Sequence, residues 1–383
     1  MRDSLNILVN KNISGELFYE NGEYIFRYKS QNSDDFISLS MPVRNKDYVT
    51  TNRLAPIFEM HLPEGYLLSI IKKHFSKLIK IDDFGLLKII SHAIYGRVTY
   101  KFQDTKENSI TLDELLHSNK SNLFNELVSM FALNSPISGV QPKVLAKVKN
   151  KATLKLEDYI VKSWGEEYPY LSLNEYYCMK IAQFSGVKVP QFYLSDDDKL
   201  FIMKRFDIED DKVFGFEDMC VLQAKSRDDK YEGSHESVVK TIKAFVSPKN
   251  KKLSLIDFFK MIIINTLIQN GDAHLKNFGL LYKNIDDIYL APAYDIVSTT
   301  IYIQNDISAL NLLGSKKWWG KKFLIRFAIE SCQLNNREAN RCFDEVLEAI
   351  KKVSNMIEER IENEQEVDKK EFLEKLLEKI RKG

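Results

Sequence analysis

The stretch Gly271-Asp272-Ala273-His274-Leu275-Lys276-Asn277, followed downstream by Tyr294-Asp295, sets out an aspartate, an asparagine five positions later and a second aspartate eighteen residues beyond that. The first carboxylate has the chemistry to orient or deprotonate a hydroxyl. The amide and the second carboxylate present oxygens to Mg²⁺, which keeps few protein ligands and takes the rest from water and nucleotide phosphates. Asp, Asn and a distal Asp in this order are what phosphoryl transfer from ATP requires. A polar loop after a core helix, with Asp272 serving as a cap, is the plainer reading of Asp-x-x-x-x-Asn, and the linked Asp295 weighs against it.

Working outward, residues 255–268 are long and apolar enough for a buried helix, which Gln269-Asn270-Gly271 ends. Phe278 to Tyr282 reads as a strand, Lys283 to Asp287 as a turn, and Ile288 to Ala291 as the return strand. Helix, loop, hairpin and Asp follow one another as in the C-lobe of a protein kinase.

Composition bounds the rest. The 383 residues suffice for two or three domain-sized units, and 44% hydrophobic with 28% charged residues is ordinary for a globular chain. Lys+Arg 55 against Asp+Glu 54 leaves a net charge of +1, so no global electrostatic case for binding nucleic acid exists. Cys178, Cys220, Cys332 and Cys342 are widely spaced, which predicts buried thiols in a reducing compartment. The start of the chain lacks a signal-peptide core, and no apolar run is long enough to span a bilayer. A cytoplasmic protein with no membrane partner is expected.

Three segments are expected along the chain: 1–105, 106–206 and 207–383. The first opens with alternating runs at 5–9, 15–19 and 24–28, a β-meander, followed by a helix from Pro63 to about Leu78 and another around Asp83 to Ile90. His61, His74 and His92 are not at metal-ligand spacing. The second segment reads as an N-lobe. Residues 135–143 precede a strand at 144–148, and a loop in that place either folds over phosphates, with Lys143 adding a cation, or is a plain turn. Lys162 ends the apolar strand Asp158-Tyr159-Ile160-Val161, as a phosphate-contacting lysine or as a solvent-facing one at a strand edge. Glu175, near the start of a helix predicted over 173–185, is placed either to pair with Lys162 or to interact with the helix dipole. A hairpin is predicted from strands at 187–194 and 200–207. The third segment is mainly helical, with residues 335–383 alternating apolar and charged positions at helical spacing.

With these pieces in order, the chain resembles the HipA family of toxin kinases from bacterial toxin–antitoxin modules. The likeness rests on Ile137-Ser138-Gly139-Val140-Gln141-Pro142-Lys143, Asn174-Glu175-Tyr176-Tyr177-Cys178, Met203-Lys204-Arg205-Phe206-Asp207 and Glu217-Asp218-Met219-Cys220. It continues through Lys230-Tyr231-Glu232, Gly271 to Phe278 and Pro292-Ala293-Tyr294-Asp295-Ile296. The resemblance implies an α+β, bilobal protein-kinase-like fold with a small β-rich N-terminal subdomain and a mainly helical C-lobe. It implies ATP and Mg²⁺ as cofactors, Asp272 as catalytic base, and Asn277 and Asp295 as Mg²⁺ ligands. Ile137, Ser138, Gly139, Val140, Gln141, Lys143 and Lys162 would lie at the phosphates, with Glu175 as the ion-pair partner of Lys162. Lys204, Arg205 and Phe206 would meet adenine, and His274, Lys276 and Tyr294 would line the nucleotide site.

The resemblance also implies a protein substrate, an aminoacyl-tRNA synthetase whose phosphorylation halts translation. It implies restraint by a helix-turn-helix antitoxin, with DNA bound only through that partner. Family members carry an autophosphorylated serine at the position of Pro136, of Ser138, or of both. Proline cannot take a phosphate, so Ser138 is the expected site here, and Ser135 is a secondary one. A pseudokinase acting as co-repressor, and a phosphotransferase for small molecules, are the readings from other classes. The intact Lys162, Asp272, Asn277 and Asp295 count against the first. The Tyr176-Tyr177-Cys178 and Arg205-Phe206-Asp207 neighbourhoods count against the second.

Overall fold

The computed structural model describes residues 4–64, 82–91, 94–100, 110–111, 143–149, 156–209 and 212–382. The chain gathers into two compact units. The first comprises 1–163, 195–227 and 281–286; the second comprises 164–194, 228–280 and 287–383.

In the first unit the predicted meander forms. Strands β1 (Ser4–Val9), β2 (Asn12–Glu20) and β3 (Glu23–Tyr28) are joined by tight turns at Asn10-Lys11 and Asn21-Gly22, all four with positive φ. Two-residue turns of that hand match the twist of the strands they connect. With β4 (Tyr48–Thr51) and β5 (Val98–Tyr100) they make an antiparallel sheet in the order β4-β3-β2-β1-β5. One face buries Ile7, Val9, Leu17 and Phe26 against Phe58 and Leu87. Gly15 lies where any Cβ would run into Phe26 and the Arg27 carbonyl, at 2.5–2.7 Å. The predicted helix at Asp83–Ile90 forms, N-capped by Asp82, whose Oδ1 accepts the Gly85 N–H at 2.7 Å. Most of the helix expected from Pro63 to Leu78 lies outside the described residues.

A second sheet in this unit runs β6 (Ile110–Thr111), β7 (Lys143–Lys149), β8 (Leu156–Lys162), then Phe201–Lys204. The β6–β7 pair is parallel and the others are antiparallel, with Lys162 opposite both Lys143 and Phe201. Lys143 therefore begins the strand instead of ending the loop before it. A two-stranded ladder, Ile208–Glu209 on Lys212–Val213, follows.

A buried carboxylate ties distant parts of this unit together. Glu217, fully buried, accepts the Ser38 hydroxyl at 2.6 Å, the Leu39 N–H at 2.7 Å and the Tyr282 hydroxyl at 2.7 Å. Burial pushes its pKa up, and these donors with nearby Arg97 pull the other way. The Arg97 guanidinium lies over the Phe36 ring at 4.1 Å and the Tyr282 ring at 5.4 Å, and donates to the Asp34 carbonyl at 2.8 Å.

The second unit is built around the helix Pro248–Leu267, which begins about two turns earlier than predicted, with Pro248 at its first position. From Leu255 onward it is buried almost all round, as a central helix should be. The long helix Asn336–Asn363 opens with a capping box between Asn335 and Glu338 and packs on the central helix, on Leu171–Phe184 and on Val367–Lys382. The predicted strands at 187–194 and 200–207 form only over Phe192–Leu194 and Phe201–Lys204. The first starts after Pro190, which has no N–H to give a ladder. All four cysteines are buried free thiols, Cys220 in the first unit and Cys178, Cys332 and Cys342 in the second. Burial pushes the Cys332 thiol up to about 12. Among the described residues no helix is long and apolar enough to cross a membrane.

Asp257, 7% exposed on the central helix, makes a pH prediction. Burial lifts its pKa from the ordinary 3.8 to about 6, with Lys188 and Lys260 opposing. The native state thus holds the proton more tightly than the unfolded chain, so this group's stabilising effect is complete below about pH 4 and is lost as pH rises to about 6. The loss is up to about 3 kcal/mol. Urea denaturation of wild type and Asp257→Asn between pH 4 and 7 should show stability falling across that window in wild type alone. Parallel curves would refute the assignment.

Candidate active site

The residues Asp272, His274, Lys276, Asn277, Tyr294 and Asp295 lie together in the second unit. The central helix stops through a left-handed residue, but at Gln269 (φ 55) and not at Gly271. Asn270, buried, then takes over. Its backbone N–H donates to the Asn265 carbonyl at 2.8 Å, its amide to Asn265 Oδ1 at 3.0 Å, and its Oδ1 accepts the Asp272 N–H at 3.1 Å. Gly271 donates its N–H to Thr299 Oγ1 at 2.7 Å and sits where a Cβ would meet the Asp306 carboxylate at 2.0–2.7 Å. The glycine is required by space here, not by φ.

Next comes a tight reversal. The His274 N–H donates to the Asp272 carbonyl at 2.7 Å and to Asn277 Oδ1 at 3.1 Å, and the Asn277 N–H returns to the His274 carbonyl at 3.0 Å. His274 is thus the cap of the one-turn helix Leu275–Asn277. Asp272 caps nothing: its side chain is 52% exposed and accepts the Tyr231 hydroxyl at Oδ1, 2.6 Å. Ala291 N–H closes the following hairpin on the Gly279 carbonyl at 2.9 Å, and the Tyr294 hydroxyl reaches back to the Lys276 carbonyl at 2.7 Å. These contacts bring Asp295 to Asn277, whose Nδ2 donates to Asp295 Oδ2 at 3.3 Å. Asp295 has φ 56, a left-handed conformation that a non-glycine residue adopts at a cost of about 1–3 kcal/mol, typically where function demands it.

His274 is buried, with Nε2 4.0 Å from Asp272 Oδ1. Burial lowers its pKa to about 4; Asp272 and Asp295 oppose the shift, and Lys230 and Lys276 add to it. The imidazole is therefore neutral near pH 7.

Of the other predicted residues that the structure describes, Lys143, Lys162, Lys204, Arg205 and Phe206 belong to the first unit and Glu175 to the second. Lys162 is 2% exposed, with its ammonium 5.6 Å from the centre of the Phe201 ring, so the reading of a solvent-facing lysine fails. Glu175 is the fifth residue of the helix Leu171–Phe184, beyond its first turn, and is fully buried in the second unit; the helix-dipole reading fails too. Lys204 ends the strand Phe201–Lys204, and Phe206 packs edge-on against Phe216. The Arg205 guanidinium forms a two-pronged ion pair with Asp207 and donates to the Tyr95 carbonyl at 2.9 Å, which commits it to holding this segment. Ile137, Ser138, Gly139, Val140 and Gln141 lie outside the described residues. Tyr231 and Asn270 escaped sequence reasoning: Tyr231 carries no spacing to Asp272, and Asn270 reads as part of a helix stop.

A carboxylate open to solvent beside an amide–carboxylate pair fits a site that moves a hydroxyl proton next to a divalent cation. Asn277 Oδ1 keeps a second lone pair beyond the one facing the His274 N–H, and Asp295 is acidic and partly exposed. This oxygen set suits Mg²⁺ held jointly with nucleotide phosphates.

The model of the HipA N-terminal domain matches residues 5–101, and that of the HipA-like C-terminal domain matches 135–354. The chain is 27% identical over 288 residues to Y4dM of Sinorhizobium fredii, provisionally named a kinase, covering 68% of this chain and 66% of that one. It is 29% identical over 202 residues to another provisionally named kinase, from Haemophilus influenzae, covering 47% and 58%. The matched stretches thus span less than two thirds of either relative. Among solved structures, HipA of Shewanella oneidensis, determined with HipB and operator DNA, superposes with a TM-score of 0.71 at 18% identity, covering 98% of this chain and 95% of that one. That likeness gives the fold, which is α+β as the sequence predicts. With both of its matched regions described by HipA domains, the chain belongs to the HipA family.

Proposed function

We propose that the protein is an ATP- and Mg²⁺-dependent serine/threonine protein kinase of the toxin type. The observation that carries this reading is the pairing of Asn277 with Asp295 at 3.3 Å, in the same loop system as the exposed Asp272 carboxylate. In this reading an acceptor hydroxyl donates its proton to Asp272 as its oxygen bonds to the γ-phosphorus, and the bond from that phosphorus to the β–γ bridging oxygen breaks to release ADP. Asn277 and Asp295 hold Mg²⁺, which when bound neutralises charge on the phosphates. His274, neutral and buried, lines the nucleotide site without adding a cation that would compete there. Lys276 and Tyr294 lie beside it, and their mutual hydrogen bond keeps the loop in register. Lys162 binds the ATP phosphates with Lys143 and the loop from Ile137 to Gln141. Lys204, Arg205 and Phe206 form the adenine-facing segment, Arg205 by holding its shape.

The substrate is a protein, with an aminoacyl-tRNA synthetase as the proposed target. A HipB-like helix-turn-helix antitoxin is the proposed partner, as HipB accompanies the Shewanella protein with operator DNA. Autophosphorylation of Ser138 would add about −1.5 to −2 charge to a loop that receives ATP, and so would inhibit the enzyme.

The test is incubation with Mg²⁺ and γ-labelled ATP in a lysate freed of endogenous kinase activity, alongside Asp272→Asn, with labelled proteins identified by mass spectrometry. Label on a synthetase with wild type alone supports the whole reading. Label confined to Ser138 retains the kinase and removes the proposed target. Absence of any label from unphosphorylated enzyme rejects the kinase and leaves a binding partner of the antitoxin.

A further inference from the structure

We propose that Tyr231 is a positioning residue for the catalytic carboxylate, holding Asp272 Oδ1 so that Oδ2 faces the acceptor hydroxyl; this rests on the kinase reading of Asp272. The Tyr231 hydroxyl donates to Asp272 Oδ1 at 2.6 Å. Among the described residues Oδ2 accepts no hydrogen bond, so one oxygen is held and the other is presented. A side chain as exposed as Asp272 would otherwise exchange between rotamers, and each departure removes the proton acceptor from the line of transfer.

Tyr231 is itself fixed at several points. It ends the one-turn helix Asp228–Tyr231, which a hydrogen bond from Glu232 N–H to the Asp229 carbonyl at 2.8 Å closes. Its carbonyl accepts the Lys316 ammonium at 3.1 Å. Its ring meets His274 edge-on, with centroids 5.1 Å apart and planes at 81°. The ring contact joins the phenol to the same reversal that sets Asn277, because His274 caps the turn containing it. A phenol held by ring, backbone and hydroxyl loses little freedom in forming its bond to the carboxylate, which is what a positioning group needs.

Tyr231→Phe removes the hydroxyl and keeps the ring contact. We would measure three-bond couplings from Asp272 Cγ to its backbone nitrogen and carbonyl carbon in aspartate-labelled full-length protein, assigning the signal by its loss in Asp272→Asn. One rotamer in wild type and averaged couplings in Tyr231→Phe are expected. With them should come a fall in kcat of about ten- to a hundredfold and an unchanged KM for ATP. A single unchanged rotamer in Tyr231→Phe overturns the proposal, whether or not the protein phosphorylates anything. Averaged couplings with unchanged or higher kcat overturn it as well. If wild type transfers no phosphate while the couplings behave as expected, the kinase reading fails and the anchoring of Asp272 by Tyr231 stands.

Discussion

Asp272→Asn should lower phosphoryl transfer by about 10²- to 10⁴-fold, the range over which a positioned proton acceptor acts, while ATP affinity stays within about twofold of wild type. Asparagine has the shape of aspartate, and its amide oxygen still accepts the Tyr231 hydroxyl, so the loop keeps its geometry. Asn270 also still receives the residue-272 N–H, and the His274 N–H still finds the residue-272 carbonyl, because both are backbone contacts. Only proton acceptance is lost. Single-turnover transfer with saturating ATP, beside calorimetric titration with a non-hydrolysable analogue, separates the two quantities. A transfer rate within tenfold of wild type would remove Asp272 from the role of base. A parallel collapse of ATP affinity would show that the carboxylate acts through the metal and nucleotide instead.

Glu217→Ala should destabilise the first unit by about 3 to 5 kcal/mol, the loss expected when a buried, fully satisfied carboxylate is cut away from its donors. Three donors lose their acceptor at once: the Ser38 hydroxyl, the Leu39 N–H and the Tyr282 hydroxyl. The Arg97 guanidinium, stacked on Phe36 and Tyr282, also loses the negative charge nearest to it in that network. Glu217→Gln retains volume and one acceptor oxygen, so it should fall between the two. Hydrogen exchange across β1–β3 under native conditions reads this directly. Protection within about 1 kcal/mol of wild type in the alanine variant would mean that water replaces the carboxylate and that the network is dispensable.

How much of this could be read from the sequence depends on the range of the interaction. The central helix was legible because a long apolar run has no other stable home, and the meander because alternation and the turns at Asn10-Lys11 and Asn21-Gly22 are local. The meeting of Asn277 and Asp295 was legible because one loop and one short hairpin join them. Tyr231 was not: it meets Asp272 across 41 positions, with no period or spacing to mark the pair. Glu217 meets Ser38 across 179 positions, and neither residue type announces a buried partner. Arg205 illustrates a different limit. Its guanidinium bonds Asp207, two residues along the same chain, a local pair that the reading of the stretch did not single out. The burial of Lys162 was also hidden, since a lysine at a strand end is normally at liberty to reach water.

The four buried thiols make the two units separately observable. All three tryptophans, Trp164, Trp318 and Trp319, lie in the second unit, so intrinsic indole fluorescence is blind to melting of the first. Cys220 is the lone sulfhydryl of the first unit, and Cys178, Cys332 and Cys342 belong to the second. An alkylating reagent added to the native protein must wait for each unit to open before it reacts, so the mass-resolved labelling rate at Cys220 times one event and the rates at the other three time another. Antitoxin or nucleotide binding would then register as slowed labelling at whichever site the bound molecule keeps closed.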